Sequence, residues 1–144
     1  MSSPETQRTL VILKPDAVRR GLIGTVLDRF ERRGLRIVAM EQRSIDAELA
    51  DRHYAEHVDR DFYPPLRAFV TSGPLVALIL EGDQAVDVVR GLNGATDGRK
   101  AAPGTIRGDF SLSNRENLVH GSDSAESAER EIGIWFPDLA ESRA

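Results

Sequence analysis

The chain has no cysteine among its 144 residues. This absence excludes disulfide bonds, thiolate metal sites and a cysteine nucleophile. Long hydrophobic runs are also missing, because the longest aliphatic stretch, Leu75 to Leu80, falls far short of the roughly 20 residues that cross a bilayer. The N-terminal sequence M-S-S-P-E-T-Q-R lacks the apolar core of a signal peptide. We therefore expect a cytoplasmic protein with no membrane partner.

Aromatic residues are few, and positive charge is not in surplus. Aromatics make up 6% of the chain, and the formal net charge is −4 at pH 7. Nucleic-acid-binding domains usually carry a basic surplus, so general nucleic-acid binding is not expected. Several arginines nevertheless lie near glycines, namely Arg19, Arg20, Arg90 and Arg107. They favour a small anionic ligand, with solvated surface arginines as the alternative.

The remaining composition is that of an ordinary globular protein, with 40% hydrophobic and 29% charged residues. The length suits one compact domain spanning residues 1–144. No repeat, low-complexity tract or linker interrupts it.

The first half of the chain alternates strand and helix patterns. Residues 8–13 predict a buried strand that ends at a predicted turn, Lys14-Pro15-Asp16. Apolar residues then recur every four positions from 18 to 30 and predict one helix, ended by Gly34. Residues 35–40 predict a second strand. Asp46 is placed to cap a short helix, and residues 66–70 indicate another helical turn or two.

The second half repeats the alternation. Residues 75–80 are the most strand-like stretch, and Asp83 is placed to cap the helix that follows. Residues 91–104 have no periodicity and predict a loop, and residues 117–120 predict a last short strand. Asp123 and Glu126 resemble a capping box for a final helix. The residues expected to face inward on it are Ala128, Ile132, Trp135 and Phe136.

Without the helical insertion between strands 2 and 3, the element order is β-α-β-β-α-β. This is the split pattern of ferredoxin-like α+β folds. It predicts a four-stranded antiparallel sheet with helices on one face. Since this fold serves many functions, the site has to be argued separately.

A histidine lies where the last strand meets the last helix, in the sequence N-L-V-H-G-S-D-S at residues 117–124. A neutral imidazole is a nucleophile, and it needs a partner on its other nitrogen to fix the tautomer. Glu131 lies two turns into the following helix, where its carboxylate could fold back toward His120. One histidine and one glutamate are weak evidence alone, and His120 could equally be a turn residue.

Three cations could converge on a polyphosphate. Arg107 lies between two glycines, Arg90 lies near the end of its predicted helix, and Lys14 ends the first strand. Phosphoryl transfer needs mainly positioning, charge neutralisation and an in-line nucleophile. The chain has no Walker-type phosphate loop, so any nucleotide must be bound by side chains.

Four motifs together resemble the nucleoside diphosphate kinase family: K-P-D-A-V, P-G-T-I-R-G-D-F, N-L-V-H-G-S-D-S and S-A-E-x-E-I. The resemblance runs from about Arg8 to Phe136, and H-G-S-D-S is its most specific part. It implies a ferredoxin-like fold and transfer of the γ-phosphate of a nucleoside triphosphate to a diphosphate. The route it implies is ping-pong, through phosphohistidine. The family forms hexamers or tetramers built on a similar dimer, so a homo-oligomer is expected.

The resemblance also implies roles for individual residues. His120 resembles the nucleophile, attacking through Nδ1, and Glu131 resembles the carboxylate that accepts from the far nitrogen. Lys14 and Asn117 match positions that reach the ribose hydroxyls, Lys14 also lying near the transferred phosphate, and Tyr54 matches a side chain near the histidine. The phosphate-binding positions are matched by Arg90, Thr96 and Arg107.

The implied base site is one aromatic side chain. Phe62 matches the residue that stacks on the base, and stacking is indifferent to base identity because every base has a π-face. Broad base specificity follows. Mg²⁺ is implied as a cofactor that enters with the nucleotide, bridging phosphate oxygens with little direct protein ligation.

Two positions depart from the family pattern. Gly98 stands where many members have a proline, and a flexible glycine predicts that a Gly98→Pro variant is more thermally stable. Asn114 falls near where many relatives have an apolar residue against the second face of the base, so base affinity is expected to differ.

Simpler readings exist for several of these residues. Phe62 could serve packing alone, and Lys14 could merely end a strand. His53 and His57 are four apart and could imitate a metal pair, although no third ligand is evident in the sequence. Arg107-Gly108-Asp109 spells an adhesion tripeptide, which arises easily by chance.

Two rival functions belong to other classes. A non-catalytic regulatory module of this fold would bind nucleotide without carrying phosphate on His120. An RRM-like single-strand binder would need exposed sheet aromatics and a basic face, which the chain's aliphatic strands and net charge disfavour.

Overall fold

The computed structural model describes residues 6–142, so most of the N-terminal segment behind the signal-peptide argument lies outside the described residues. The strands are β1 (Thr6–Leu13), β2 (Arg36–Arg43), β3 (Leu75–Asp83) and β4 (Val119–Gly121). The helices are α1 (Pro15–Arg19), α2 (Ile23–Arg32), α3 (Ala47–His53), α4 (Tyr63–Val70), α5 (Ala85–Asn93), α6 (Ile106–Phe110), α7 (Ala125–Trp135) and α8 (Pro137–Ser142).

The four strands form one antiparallel sheet in the order β2-β3-β1-β4. Val11 lies opposite Leu78, and Ile12 lies opposite His120. The predicted four-stranded, ferredoxin-like arrangement with its helical insertion between β2 and β3 is confirmed. The topology matters for function because it fixes the short strand β4, with His120, against the central strand β1.

The helices cover both faces of the sheet, so the expectation that they lie on one face was wrong. Alternate strand residues point to opposite sides. Val11 and Leu78 pack with Phe30 of α2 on one side, whereas Ile12 and Ile132 of α7 share the core of the other. Because residues 10–13 of β1 and 75–80 of β3 are uninterrupted apolar runs, alternation could not show that both faces are buried.

The predicted single helix after β1 is two helices. Lys14 is the N-cap of α1, so Lys14-Pro15-Asp16 begins a helix instead of forming a separate turn. Gly21 has a φ of +69°, which separates α1 from α2. Gly34 follows the C-cap of α2 with a φ of +103°, a conformation that favours glycine, and ends the helix as predicted.

Several helix boundaries differ from the sequence prediction. Asp46 caps α3 as expected, accepting from the Leu49 N–H. The N-cap of α5 is Gln84, since Asp83 still belongs to β3. The N-cap of α7 is Ser124, which accepts from the Ser127 N–H in place of the proposed Asp123 capping box. α5 extends to residue 93, and the short helix α6 was not predicted.

Candidate active site

His120 is held at the edge of the sheet, on β4. Its Nε2 lies 2.8 Å from Oε1 of Glu131, so the α7 carboxylate does reach back to the strand end. The imidazole is partly accessible, with 18% of its side chain exposed, whereas only 6% of the Glu131 side chain is exposed. The ring therefore faces the solvent side of the site with one nitrogen already engaged.

Ser122 completes this arrangement and was missed from the sequence. Its buried hydroxyl donates to Oε1 of Glu131 at 2.8 Å, and the Leu10 N–H donates to the same hydroxyl. A carboxylate oxygen only accepts, so the proton in the Glu131–His120 bond is on Nε2 of the imidazole. Nδ1 of His120 is then the nitrogen with the free lone pair. A small polar residue between a strand and a helix gave no signal beyond a possible cap.

A cavity of about 890 Å³ opens in front of His120. Eight of the nine predicted site residues line it: Lys14, Tyr54, Phe62, Arg90, Thr96, Arg107, Asn117 and His120. Glu131, the ninth, lies behind the imidazole. Residues from widely separated parts of the chain thus converge, as the motifs predicted, on a space that suits a small ligand.

Lys14 lies deep in this cavity. Its ammonium donates to Oδ1 of Asn117 at 2.9 Å, and the Asn117 amide in turn donates to the Thr96 and Asn114 carbonyls. Burial, reinforced by the charge of Arg107, lowers the pKa of Lys14 to about 8. Lys14 is therefore a buried cation that loses its charge as the pH rises through about 8.

Arg107 forms hydrogen bonds with three segments that line the cavity. Its guanidinium donates to the carbonyls of Gly94 (2.8 Å), Asn117 (3.2 Å) and Val119 (2.6 Å). Burial, with a contribution from Arg90, lowers its pKa to about 10. Arg107 thus joins three segments and adds positive charge to the cavity. It is turned inward, which makes an adhesion role for this tripeptide a poor fit.

Arg90 is the outer cation. Its guanidinium lies 3.9 Å from the carboxylate of Asp123, and both side chains are more than half exposed. An exposed ion pair of this kind contributes little stability, about 0–1 kcal/mol. An anionic ligand can therefore replace the Asp123 carboxylate at Arg90 at little cost.

Two aromatic side chains, Phe62 and Tyr54, line the cavity. Phe62 is 51% exposed although it is large and apolar, and it lines the cavity. Tyr54 packs edge-on against His53, with ring centroids 4.5 Å apart. Burial raises the pKa of the Tyr54 hydroxyl above its usual range, which keeps it a neutral donor.

His53 groups with His120 and Glu131, not with His57 as a metal pair would require. The ligand atoms of these three residues lie within 4.8 Å of one another. However, the Trp135 indole, which can only donate, bonds to Nδ1 of His53 at 3.0 Å. Nε2 of neutral His53 therefore carries the proton, and neither nitrogen offers a free lone pair. Burial holds the pKa of His53 well below its usual range, which is consistent with a neutral ring.

Gly98 lies buried in the loop behind Thr96, and its contacts reverse the expectation from the sequence. Its N–H donates to the Ser113 carbonyl at 3.0 Å, and an added Cβ would overlap the Ser111 carbonyl oxygen. Proline would lose the hydrogen bond and also clash. These two costs in the folded protein exceed the stability that proline would gain by restricting the unfolded chain.

We therefore expect Gly98→Pro and Gly98→Ala to lower the melting temperature by several degrees, since overpacking costs about 1–3 kcal/mol. Gly73→Ala is the matched control because a Cβ at Gly73 meets nothing within 4 Å. Differential scanning calorimetry of the three variants makes the measurement. Equal melting temperatures for Gly98→Ala and Gly73→Ala would contradict the packing around Gly98.

Comparison with known proteins points to one family. The nucleoside diphosphate kinase family model matches residues 7–140. The chain is 81% identical over 132 residues to the nucleoside diphosphate kinase of Nocardioides sp., covering 92% of this chain and 98% of that one. It is 58% identical over 135 residues to the enzyme of Cutibacterium acnes, covering 94% and 98%.

Solved structures agree with the sequence relatives. The nucleoside diphosphate kinase of Halobacterium salinarum, solved in complex with CDP, superimposes with a TM-score of 0.90 at 49% identity, covering 93% of this chain and 90% of that one. A family protein from Babesia bovis gives 0.89 at 42% identity over 93% and 90%. The chain therefore belongs to the nucleoside diphosphate kinase family and is an enzyme of the phosphotransferase class.

Proposed function

We propose that the chain transfers the γ-phosphate of a nucleoside triphosphate, typically ATP, to a nucleoside diphosphate through a phosphohistidine at His120. The observation that carries the proposal is the 2.8 Å bond between Nε2 of His120 and Glu131. It engages Nε2 and leaves the lone pair of Nδ1 available as the nucleophile on a residue that lines the cavity. A cavity with three cations supplies the positioning and the charge neutralisation that phosphoryl transfer requires.

In the first half-reaction, Nδ1 of His120 attacks the γ-phosphorus in line. A P–N bond forms, the bond to the β,γ-bridging oxygen breaks, and the nucleoside diphosphate leaves with that electron pair. The phosphorylated imidazole keeps its proton on Nε2, where the Glu131 carboxylate stabilises the positive ring. In the second half-reaction, a terminal oxygen of the acceptor diphosphate attacks the same phosphorus, and Nδ1 is released.

Different cavity residues are assigned to the phosphates and to the ribose of the nucleotide. We assign the phosphates to Arg90, Arg107 and Thr96, and the ribose hydroxyls to Asn117 and Lys14, whose ammonium also neutralises the transferred phosphate. Tyr54 completes the wall beside the imidazole. These assignments agree with the depth of Lys14 and Asn117 and with the accessible position of Arg90 near the rim.

The exposed ring of Phe62 is assigned to the base. It offers a stacking face at the mouth of the cavity and no hydrogen-bonding atom that could read one base. Broad specificity for purines and pyrimidines follows. Asn114 also lines the cavity, so an altered base affinity remains a prediction.

Mg²⁺ is proposed to enter with the nucleotide. It prefers oxygen ligands and is commonly held through substrate phosphates, where it neutralises their charge. The described residues fit this role. Their one cluster of possible metal ligands is the group of His53, His120 and Glu131. In this group Nδ1 of His53 accepts from the Trp135 indole and Nε2 carries the ring proton, so His53 offers no free lone pair.

Steady-state kinetics test the proposed route. A ping-pong mechanism predicts parallel double-reciprocal plots when ATP is varied at fixed concentrations of an acceptor. GDP, CDP, UDP and dTDP are expected to serve as acceptors with similar efficiencies. Intersecting lines would indicate direct transfer in a ternary complex, and nucleotide binding without turnover would favour the regulatory-module alternative.

The buried ammonium of Lys14 predicts an alkaline limb in the pH profile. Its pKa is lowered to about 8, so the free enzyme loses this charge as the pH rises through that value. The ratio kcat/KM for ATP reports free-enzyme groups and is expected to fall above about pH 8. Lys14→Arg keeps its charge there, so its residual activity should show no such limb. An alkaline limb that is unchanged in Lys14→Arg would contradict the assignment of this limb to the loss of the Lys14 charge.

A homo-oligomer, either hexamer or tetramer, is proposed from the family resemblance. Light scattering coupled to size exclusion decides the state, and a monomer at micromolar concentration would overturn the proposal. A helix that could cross a membrane does not occur among the described residues. The cytoplasmic location stays a prediction.

A further inference from the structure

The backbone is strained two residues before His120. Leu118 has a φ of +74°, although it carries a bulky side chain that is fully buried. The Val119 N–H donates to the Asn117 carbonyl at 2.8 Å, closing a three-residue turn. A γ-turn with positive φ at its centre is rare and strained, and such a conformation persists only where the surroundings enforce it.

Two residues at the start of α1 hold Leu118 in this conformation through hydrogen bonds. Oδ2 of Asp16 accepts from the Leu118 N–H at 3.1 Å, and the Lys14 N–H donates to the Leu118 carbonyl at 2.8 Å. Both polar backbone groups of the strained residue are thus bound by residues two positions apart. Asp16 is only 3% exposed, so its bond to Leu118 is shielded from competing water.

The turn separates two groups of the site. Asn117, whose side chain bonds to Lys14, is the first residue of the turn, and His120, paired with Ile12 of β1, directly follows it. A different conformation at Leu118 would change the distance and orientation between Asn117 and His120. Asp16 itself does not line the cavity, and its side chain bonds to the Leu118 backbone and not to the imidazole.

We propose that Asp16 is a positioning residue for phosphoryl transfer, whose buried carboxylate holds the strained Leu118 turn and thereby fixes Asn117 and His120 relative to Lys14. The proposal rests on the function proposed above.

Asp16 also acts on Lys14 through its charge. The groups facing Lys14 are Arg107 from α6, His53 from α3, His120 from β4 and Asp16 from α1. Among these, Arg107 lowers the pKa of Lys14 and the Asp16 carboxylate raises it. Removing the Asp16 charge therefore shifts the loss of the Lys14 charge to lower pH.

Three variants separate these effects. Asp16→Asn keeps an oxygen that can accept from the Leu118 N–H but removes the charge. Asp16→Ala removes both. Val26→Ala truncates a fully buried residue of α2 outside the site and serves as a control for lost stability. Each variant is assayed for kcat and KM with ATP and GDP across pH, and the Leu118 amide is followed by NMR chemical shift and hydrogen exchange.

We expect Asp16→Ala to lower kcat about 10²-fold, the loss associated with small misplacement of reacting groups. Its Leu118 amide should exchange faster and move upfield. Asp16→Asn should stay within a few-fold of the unaltered protein at pH 6.5, with its alkaline limb displaced to lower pH. Val26→Ala should leave kcat and the limb unchanged at a temperature where it is folded.

The proposal is overturned if the Leu118 amide is unaffected in Asp16→Ala, if Asp16→Ala loses no more kcat than Val26→Ala, or if Asp16→Asn is as impaired as Asp16→Ala at pH 6.5. Failure of the proposed function is a separate result. In that case the unaltered protein takes no phosphate on His120, while the amide measurements still decide whether Asp16 holds the turn.

Discussion

His120→Ala is expected to lower turnover with ATP and a nucleoside diphosphate by a factor of about 10⁴ or more, comparable to the removal of other enzymatic nucleophiles. Because Lys14, Arg107 and Phe62 are unchanged in this variant, the proposed nucleotide contacts are expected to persist, and the loss is expected in kcat. A coupled assay for ADP formation measures the change, and calorimetric titration with ADP shows whether binding survives.

A chemical control identifies the missing group. His120→Gly leaves a space beside Glu131, and added imidazole can occupy it and accept the γ-phosphate through its own nitrogen. Release of ADP from ATP should then rise with imidazole concentration. Activity of His120→Ala within tenfold of the unaltered protein would contradict the assignment of the nucleophile.

Glu131→Gln is expected to slow phosphorylation of His120 about 10²-fold. Neutralising the carboxylate that orients a catalytic histidine costs ~10⁴ where the wrong tautomer results. Here the Ser122 hydroxyl donates to the same side-chain oxygen that accepts from Nε2 of His120. In Glu131→Gln this hydroxyl therefore favours the orientation that places the amide oxygen, not the amide nitrogen, beside Nε2. The variant therefore keeps the geometry and loses mainly the negative charge that stabilises the phosphorylated ring.

Rapid-quench measurement of a single turnover gives the phosphorylation rate without contribution from product release. Glu129→Gln is the matched control, since Glu129 lies on the same helix but is exposed. Equal rates for the two variants would show that the carboxylate behind His120 does not contribute to the chemistry.

The sequence predicted the sheet well because its signals are local. The apolar runs 10–13 and 75–80 have a composition that suits buried strands. Gly34 is the residue type favoured where a helix ends in a residue with positive φ. The family motifs then named nine site residues, eight of which line one cavity with the ninth behind His120.

The errors concern features that local patterns do not determine. Strands apolar on both sides gave no sign that helices cover both faces of the sheet. The roles of Ser122 and His53 depend on Glu131 and Trp135, which lie nine and 82 positions away. Flexibility alone argued for proline at Gly98, whereas its contact with Ser111 is visible only in the folded chain.

The most direct test is the intact mass of the protein after brief incubation with ATP and Mg²⁺, quenched at alkaline pH, where phosphohistidine survives. The account predicts a gain of one phosphoryl group that is absent in His120→Ala and is discharged by GDP or CDP. A folded protein that binds nucleotide but gains no mass would contradict it. Such a result would make His120 a strand-end residue of a nucleotide-binding module.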